Sequence, residues 1–256
     1  MKLHYRSYGA EFSPVLIILH GLLGSSDNWH SFGQKFSEQF HTFTLDARNH
    51  GRSPHCDIFN YQVMAEDVIE FIEEHKLSSI FLLGHSMGGK TAALIALLHP
   101  ELVDKLIVVD IAPKSYKSHH DQVFDALTSL DLNTFQYRKD IDEALTLKIP
   151  ETSVRQFLMK NLARDESIGF RWKMNLEIIE KNYNRINEEL PRDKQFNKPA
   201  LFIRGSNSNY IQIDDLQLIG QLFPKAELVT IKDAGHWVHV DAQEEFSSNV
   251  LDFLSF

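Results

Sequence analysis

One short stretch constrains the fold of this chain more than any other, because it places Gly84, Ser86 and Gly88 at alternate positions. An aliphatic run at residues 80–83 precedes this stretch, and an apolar run at residues 91–98 follows it. A strand is therefore predicted to turn directly into a buried helix at the serine. Glycines on both sides relieve the collisions of such a tight turn. The pattern predicts a serine hydroxyl that projects from the carboxyl edge of a sheet, the alternative being a serine that merely caps a core helix.

Aliphatic runs alternate with amphipathic helical segments along most of the chain. Continuous aliphatic runs are typical of strands buried on both faces of a parallel sheet, with helices between them. The predicted strands cover residues 3–8, 14–19, 42–45, 80–83, 106–109, 200–203 and 228–231. The predicted helices cover residues 61–74, 91–98, 214–222 and 244–256, and a further helix is capped near Asp27. The chain is therefore predicted to have an α/β fold with a mostly parallel central sheet, covered by helices on both faces.

The alternation stops between residues 114 and 198, where no aliphatic run of the buried-strand kind occurs. The segment reads as helices with mixed charges and scattered aromatic residues, and we interpret it as a helical lid inserted over the strand ends. Residues 1–113 and 199–256 then form one core domain. The lid segment carries 15 basic and 14 acidic residues, against 11 basic and 21 acidic residues elsewhere. This asymmetry could attract an anionic substrate, although an ordinary solvated helix face has the same composition.

Composition excludes some classes of partner. The formal net charge of −9 argues against nucleic acid, which requires a basic face. The single cysteine, Cys56, cannot form an internal disulfide, as expected in a reducing compartment. The first residues lack the apolar core of a signal peptide, and no run approaches the roughly 20 apolar residues that span a bilayer. We therefore expect a cytoplasmic protein without a membrane span.

A serine hydroxyl needs a base to become a nucleophile, and histidine suits this role because its pKa of about 6.5 lies near neutral pH. Of the 13 histidines, His236 lies in a Gly-His-aromatic loop after the last predicted strand, at the edge where Ser86 is expected. An acid must then orient the imidazole. Asp110 ends a predicted buried strand at the same edge and is the favoured acid. Its rivals are Asp214 and Asp215, which are typical of a helix N-terminus, and Asp233, which is typical of a turn.

A serine, an acid and a histidine in this order along the chain are typical of the α/β-hydrolases. The chain resembles the α/β-hydrolase superfamily over essentially its full length, and within it most resembles the bacterial YbfF-type esterases. The supporting stretches are His20-Gly21, Arg48-Asn49-His50-Gly51, His85-Ser86-Met87-Gly88-Gly89-Lys90, Asp110-Ile111-Ala112-Pro113, Asn207-Ser208 and Gly235-His236-Trp237-Val238-His239. The superfamily's acid usually follows the strand at 201–203, where no carboxylate occurs before Asp214. The YbfF-type resemblance instead implies Asp110 as the acid and Ser208 as an auxiliary hydrogen-bonding group near the histidine.

Acyl transfer also requires N–H donors for the developing oxyanion, and the predicted donors are the backbone groups of Met87 and Leu22. Together the motifs predict hydrolysis of a small-molecule ester or thioester through an acyl-enzyme on Ser86, with acyl-coenzyme A as one candidate substrate. A carbon–carbon bond hydrolase or lyase with the same triad is an alternative, as is a non-catalytic ligand-binding protein. No organic cofactor or metal is expected. His119, His120 and Asp121 are interpreted as solvated residues of a polar helix.

Overall fold

The structure, a computed structural model, describes residues 1–117, 121–165 and 169–255. The strands of these ranges are β1 (Tyr5–Tyr8), β2 (Val15–Leu19), β3 (His41–Leu45), β4 (Ile80–His85), β5 (Val103–Val109), β6 (Leu162–Asp165), β7 (Gly169–Trp172), β8 (Ala200–Gly205) and β9 (Ala226–Ile231). Seven of them form the central sheet, in the order β1-β3-β2-β4-β5-β8-β9. Only β1 pairs antiparallel, with β3, and every other pair in this sheet is parallel. The prediction of a mostly parallel sheet is confirmed.

Helices and connecting loops make up the rest of the described chain. The α-helices are α1 (His30–Phe36), α2 (Tyr61–Glu74), α3 (Met87–Leu98), α4 (Asp121–Thr128), α5 (Arg138–Thr146), α6 (Thr152–Met159), α7 (Leu176–Lys181), α8 (Asp215–Leu222), α9 (Val238–Asp241) and α10 (Gln243–Ser255). Short 3-10 helices cover Ser26–Trp29, Leu132–Thr134 and Tyr183–Ile186. Within the described ranges, every helix is too short or too polar to cross a membrane.

The bounds of α2 are those that the sequence predicts, because the start of this helix is specified locally. The side chain of Asn60 accepts the N–H of Val63 at 3.0 Å and so caps the first turn. The face of α2 that carries Met64, Val68 and Phe71 is buried against the sheet. A capping residue and an apolar stripe with helical period are both legible in the sequence.

The two faces of the sheet pack into two hydrophobic clusters. Successive residues of β2 alternate between them, so that Ile17 joins one cluster and Ile18 joins the other. Helices α2, α3 and α8 cover the first face, and α1 and α10 cover the second. Burial on both faces is the physical reason that the strands read as continuous aliphatic runs. The same arrangement leaves the carboxyl ends of the strands as the edge where polar side chains accumulate.

Between residues 114 and 198 the described chain contains helices, as predicted, but it also contains two short strands that the sequence analysis did not predict. Strands β6 and β7 form an antiparallel hairpin, with Leu162 opposite Trp172. Each strand has only four residues and mixes apolar with charged side chains, so neither contains an aliphatic run. Leu162 and Phe170 are nonetheless buried, in the cluster that also contains the sheet residues. This segment therefore shares its hydrophobic core with the sheet.

Candidate active site

Ser86 lies at the sharp turn between β4 and α3. Its φ of +53° is in the left-handed region, which is unfavourable for a residue with a side chain. The flanking glycines allow this turn, because a Cβ at Gly84 would overlap the carbonyl of Gly88, and a Cβ at Gly88 would overlap the carbonyl of Leu19. The strained strand-to-helix turn predicted from the sequence is therefore present in the structure, and it holds the serine at the carboxyl edge of the sheet.

His236 reaches the same edge because its loop lies directly against β8. Gly205, the last residue of β8, permits this close approach, since a Cβ there would overlap the carbonyl oxygens of Ala234 and Gly235. The N–H of Asn207 then donates to the carbonyl of Ala234 at 2.9 Å. The loop after β9 is thus held by backbone contacts to a neighbouring strand end.

Ser86, His236 and Asp110 form one continuous chain of hydrogen-bonding groups. Nε2 of His236 lies 3.0 Å from Oγ of Ser86, and Nδ1 lies 2.7 Å from Oδ2 of Asp110. The Asp110 carboxylate is fully buried and also accepts the hydroxyl of Ser208 and the N–H of Gly205, the latter at 3.2 Å. An ionised carboxylate can only accept, so the imidazole proton lies on Nδ1, and Nε2 is left to accept from the serine hydroxyl.

Burial raises the pKa of Asp110 to about 7, whereas the Ser208 hydroxyl and the Gly205 N–H act to lower it. The carboxyl and the imidazole are in direct contact, with Nδ1 of His236 2.7 Å from Oδ2 of Asp110. Such a pair is suited to holding the imidazole in one tautomer and to stabilising its positive form when it takes a second proton.

The rival acids lie elsewhere. Asp214 is exposed and only precedes α8. Asp215 forms an ion pair with Lys114 at 2.6 Å and accepts the N–H of Gln212 at 2.8 Å. Asp233 is an exposed turn residue with a φ of +58°. The structure therefore brings Ser86, Asp110, His236 and Ser208 together, and it leaves the three other aspartates in the helix and turn positions that the sequence predicts for them.

Leu22 and Met87 lie beside Ser86. Both line a small cavity of about 30 Å³ that also includes Ser86. The N–H of Met87 belongs to the first turn of α3, so no carbonyl of its own helix accepts it. Both residues therefore border the space beside Ser86, and their role as oxyanion donors stays a prediction.

Two buried histidines that sequence reasoning did not assign hold the loop that contains Leu22. Nε2 of His50 accepts the N–H of Leu23 at 3.2 Å, and Nε2 of His20 accepts the N–H of Ala47 at 3.0 Å. The Nδ1 atom of each ring then carries the proton, which His20 donates to the carbonyl of Gly21 and His50 to that of Arg48. Burial lowers the pKa of His20 and brings the pKa of His50 to about 3, so both rings are neutral at pH 7.

A cavity of about 290 Å³ opens beside Ser86 and His236. Its walls are largely apolar, with residues from α4, α6 and the His236 loop. The apolar lining residues include Val123, Val154, Phe157, Leu158 and Trp237. A hydrocarbon chain next to the serine would lose its contact with water there, which is favourable. The cavity is accordingly suited to an apolar acyl or alcohol group.

Two further contacts of His236 were not found by sequence reasoning. Nε2–H of His85 donates to the His236 carbonyl at 2.9 Å. The ring of Tyr210 stacks on the His236 ring with centroids 3.8 Å apart and planes 16° apart. His85 belongs to the serine motif itself, but its orientation toward a loop 151 residues away has no local signal. Tyr210 is two residues after Ser208, and this position in the sequence was the only sign that it lies near His236.

The interpretation of His119 and His120 as solvated residues falls outside the described residues, and Asp121 begins α4. Within the ranges that the structure covers, no three histidine, cysteine, aspartate or glutamate residues are grouped as metal ligands would be.

The sequence and the structure are both similar to known hydrolases. Over 263 residues the chain is 36% identical to the sn-1-specific diacylglycerol lipase ABHD11 of Xenopus tropicalis, covering 99% of this chain and 82% of that protein. It is 32% identical over 248 residues to esterase YbfF of Escherichia coli, covering 94% of both, which confirms the YbfF-type resemblance. The solved structure of a marine microorganism esterase has 43% identity and a TM-score of 0.96, over 98% of this chain and 99% of that one. The family model of the alpha/beta hydrolase fold matches residues 14–243, and this chain belongs to that family.

Proposed function

We propose that this chain is a serine esterase that hydrolyses carboxylic esters of small molecules through an acyl-enzyme on Ser86. The observation that carries the proposal is the hydrogen-bonded series from Asp110 through His236 to Ser86, which ends at a largely apolar cavity. The similarity to proteins named as esterases and as a lipase supports the same reaction class. The fold alone would not support a reaction class, since the same fold hosts many different reactions.

In the first half of the reaction, Ser86 Oγ attacks the ester carbonyl while Nε2 of His236 accepts the hydroxyl proton. Asp110 keeps the other imidazole proton on Nδ1 and stabilises the imidazolium that forms. The N–H groups of Met87 and Leu22 donate to the oxyanion, and each such donor is worth about 3 kcal/mol of barrier. His236 then protonates the departing alcohol, leaving the acyl group on Ser86.

In the second half, water replaces the alcohol. His236 accepts a proton from this water while the water attacks the acyl carbonyl. His236 then returns a proton to Ser86 Oγ as the carboxylic acid departs. Ser208 supports both halves by donating to the Asp110 carboxylate. Residues 114–198 act as a lid that supplies the apolar walls from α4 and α6, with residues 1–113 and 199–256 as the core domain.

The test compares wild-type protein with Ser86→Ala on p-nitrophenyl esters of increasing acyl length. We expect turnover by wild type, loss of it in Ser86→Ala, and labelling of Ser86 by a fluorophosphonate probe. Labelling without turnover of any ester or thioester would instead favour a non-catalytic ligand-binding protein. Turnover confined to carbon–carbon substrates would favour the hydrolase or lyase alternative.

An acyl-coenzyme A thioester is a second candidate substrate, and the charge distribution is the observation that favours it. The lid segment carries one more basic than acidic residue, whereas the rest of the chain carries ten more acidic than basic residues. Attraction of an anionic substrate to the lid would weaken as salt is added. We therefore expect kcat/KM for an acyl-coenzyme A to fall with ionic strength while that for a neutral p-nitrophenyl ester does not. Equal salt dependence would exclude this candidate.

A further inference from the structure

Lys90 is a buried lysine that forms no direct ion pair in the described part of the chain. It is the one charged residue of α3, a helix that is otherwise packed into the core, and its side chain is only 1% exposed. Two carboxylates, those of Glu188 and Glu189, favour its charge through space, but burial outweighs them. Burial accordingly lowers the pKa of Lys90 to about 7. A buried lysine is unfavourable unless its N–H groups are used, so its hydrogen bonds indicate its role.

Those hydrogen bonds go to two backbone carbonyls that lie far apart in the chain. Nζ donates to the carbonyl of Lys114 at 3.0 Å and to the carbonyl of Glu188. Lys114 lies where the chain leaves the core for the proposed lid, and Glu188 lies where it returns. These two connecting segments also bond to each other, through the Tyr116 N–H to the Asn187 carbonyl at 2.8 Å and the Leu190 N–H to the Pro113 carbonyl at 2.9 Å.

Aromatic rings complete the surroundings of the amine. Nζ lies 4.9 Å from the centre of the Tyr61 ring and 5.4 Å from that of Tyr116. The Tyr61 hydroxyl donates to the carbonyl of Ile186 at 2.6 Å, in the returning segment. Lys90 and Tyr61 therefore hold the same stretch of backbone from two different core helices. A cation over a ring face adds attraction that is stronger away from water.

A series of contacts leads from this point to the catalytic histidine. The Tyr116 hydroxyl donates to the carbonyl of Tyr210 at 2.6 Å, and the Tyr210 ring stacks on His236. Lys90 itself lies four residues after Ser86, and its N–H donates to the Ser86 carbonyl at 3.0 Å. The bond to Ser86 is made by the backbone, whereas the Lys90 side chain is connected to His236 through Tyr116 and Tyr210.

We propose that Lys90 is a positioning residue that clamps both connections of the lid and, through Tyr116 and Tyr210, holds His236 against Ser86. The lid clamp consists of the Lys90 amine and the carbonyls of Lys114 and Glu188. The kinetic part of this inference rests on the proposed esterase function, whereas the clamp itself does not. A lysine suits the position because a single amine has enough N–H donors for both carbonyls.

The chain offers a control in Lys105 of β5, which is half-buried but makes the same kinds of contact. Its Nζ also donates to two backbone carbonyls, those of Phe253 and Leu254, and lies over the rings of Phe81 and Phe253. These contacts are at the amino ends of the strands, away from Ser86. Lys105→Met therefore removes the same kinds of interaction as Lys90→Met without touching the lid connections.

The experiment compares Lys90→Met, Lys90→Gln and Lys105→Met by ester kinetics and by hydrogen exchange. We expect Lys90→Met to lower kcat at least tenfold and to speed exchange of the Tyr116 and Leu190 amides, with Lys90→Gln intermediate. Lys105→Met should keep kcat within about twofold of wild type and leave both amides protected. Should Lys90→Met not fold, Lys90→Gln and Tyr116→Phe, which removes the hydroxyl bonded to Tyr210, are expected to lower kcat in the same way.

Two results would overturn the inference. One is a kcat for Lys90→Met and Lys90→Gln no lower than that of Lys105→Met. The other is unchanged protection of the Tyr116 and Leu190 amides in both Lys90 variants. The exchange measurement needs no substrate, so a wild-type protein that turned over no ester would refute the esterase proposal and leave the clamp to be decided by exchange alone.

Discussion

Replacing Asp110 with asparagine is the sharpest test of the proposed mechanism, because the substitution puts a hydrogen-bond donor where the carboxylate now accepts. The Gly205 N–H that faces Asp110 can only donate, so the amide oxygen of the asparagine must turn toward it. The amide nitrogen then faces Nδ1 of His236, where the carboxylate oxygen now lies 2.7 Å away. An NH₂ group there donates to Nδ1 and moves the imidazole proton to Nε2.

The cost of this reversal follows from the geometry. With its proton on Nε2, the imidazole presents a donor to Ser86 Oγ at 3.0 Å and cannot accept the serine proton. Such a wrong tautomer lowers kcat by about 10⁴, or about 5.5 kcal/mol of barrier. KM should change little, because Asp110 is fully buried and does not line the cavity.

The assay is steady-state hydrolysis of a p-nitrophenyl ester, with fluorophosphonate labelling of Ser86 as an independent measure of nucleophile activation. Asp214→Asn is the matched control, since it makes the same chemical change at an exposed position and should leave kcat unchanged. Burial raises the pKa of Asp110, so the native state binds its proton more tightly than the unfolded chain. The ionised form therefore costs stability as the pH rises toward 7, and the neutral amide should be at least as stable at pH 8. A folded Asp110→Asn protein with kcat within tenfold of wild type, or a larger loss in Asp214→Asn, would refute the assignment.

Three further substitutions test the surroundings of the site. Ser208→Ala removes a hydrogen bond to a charged group worth about 2 kcal/mol, so kcat should fall about 30-fold, and a change under threefold would contradict the auxiliary role. Gly205→Ala places a Cβ against the carbonyls of Ala234 and Gly235 and should displace His236, with a loss of about 10²-fold in kcat measured on the same ester. His50→Gln tests the pH dependence of stability. The pKa of His50 is about 3 in the folded protein and about 6.5 in the unfolded chain. Between these values the unfolded chain binds more protons, so stability falls as the pH falls. By urea unfolding, the wild-type loss between pH 7 and pH 5 should exceed that of His50→Gln by about 2 kcal/mol, and equal losses would show that His50 is not held neutral.

Much of the site was legible in the sequence, because its central element depends on neighbours along the chain. The turn at Ser86 requires small residues at Gly84 and Gly88, and these stand next to the serine in the sequence. The preceding strand is buried on both faces and so reads as an aliphatic run. His236 and Asp110 were placed by a weaker rule, namely that residues after parallel strands meet at one edge.

The hairpin of β6 and β7 could not be predicted, because it lacks such local features. Its four-residue strands contain too few apolar side chains to show a period, and their pairing with each other stabilises them. The clamp by Lys90 has no local signal either, since Lys114 and Glu188 contribute only backbone carbonyls, a group that every residue has.

The sequence by itself determined the strand-to-helix turn, the parallel sheet and the polar residues at its carboxyl edge, since each depends on local sterics or on a period of burial. Only the tertiary structure decided which aspartate faces His236, which histidines are held neutral, and what the buried lysine holds. Those outcomes depend on distances between groups separated by 24 to 150 residues, where side-chain identity alone specifies no partner.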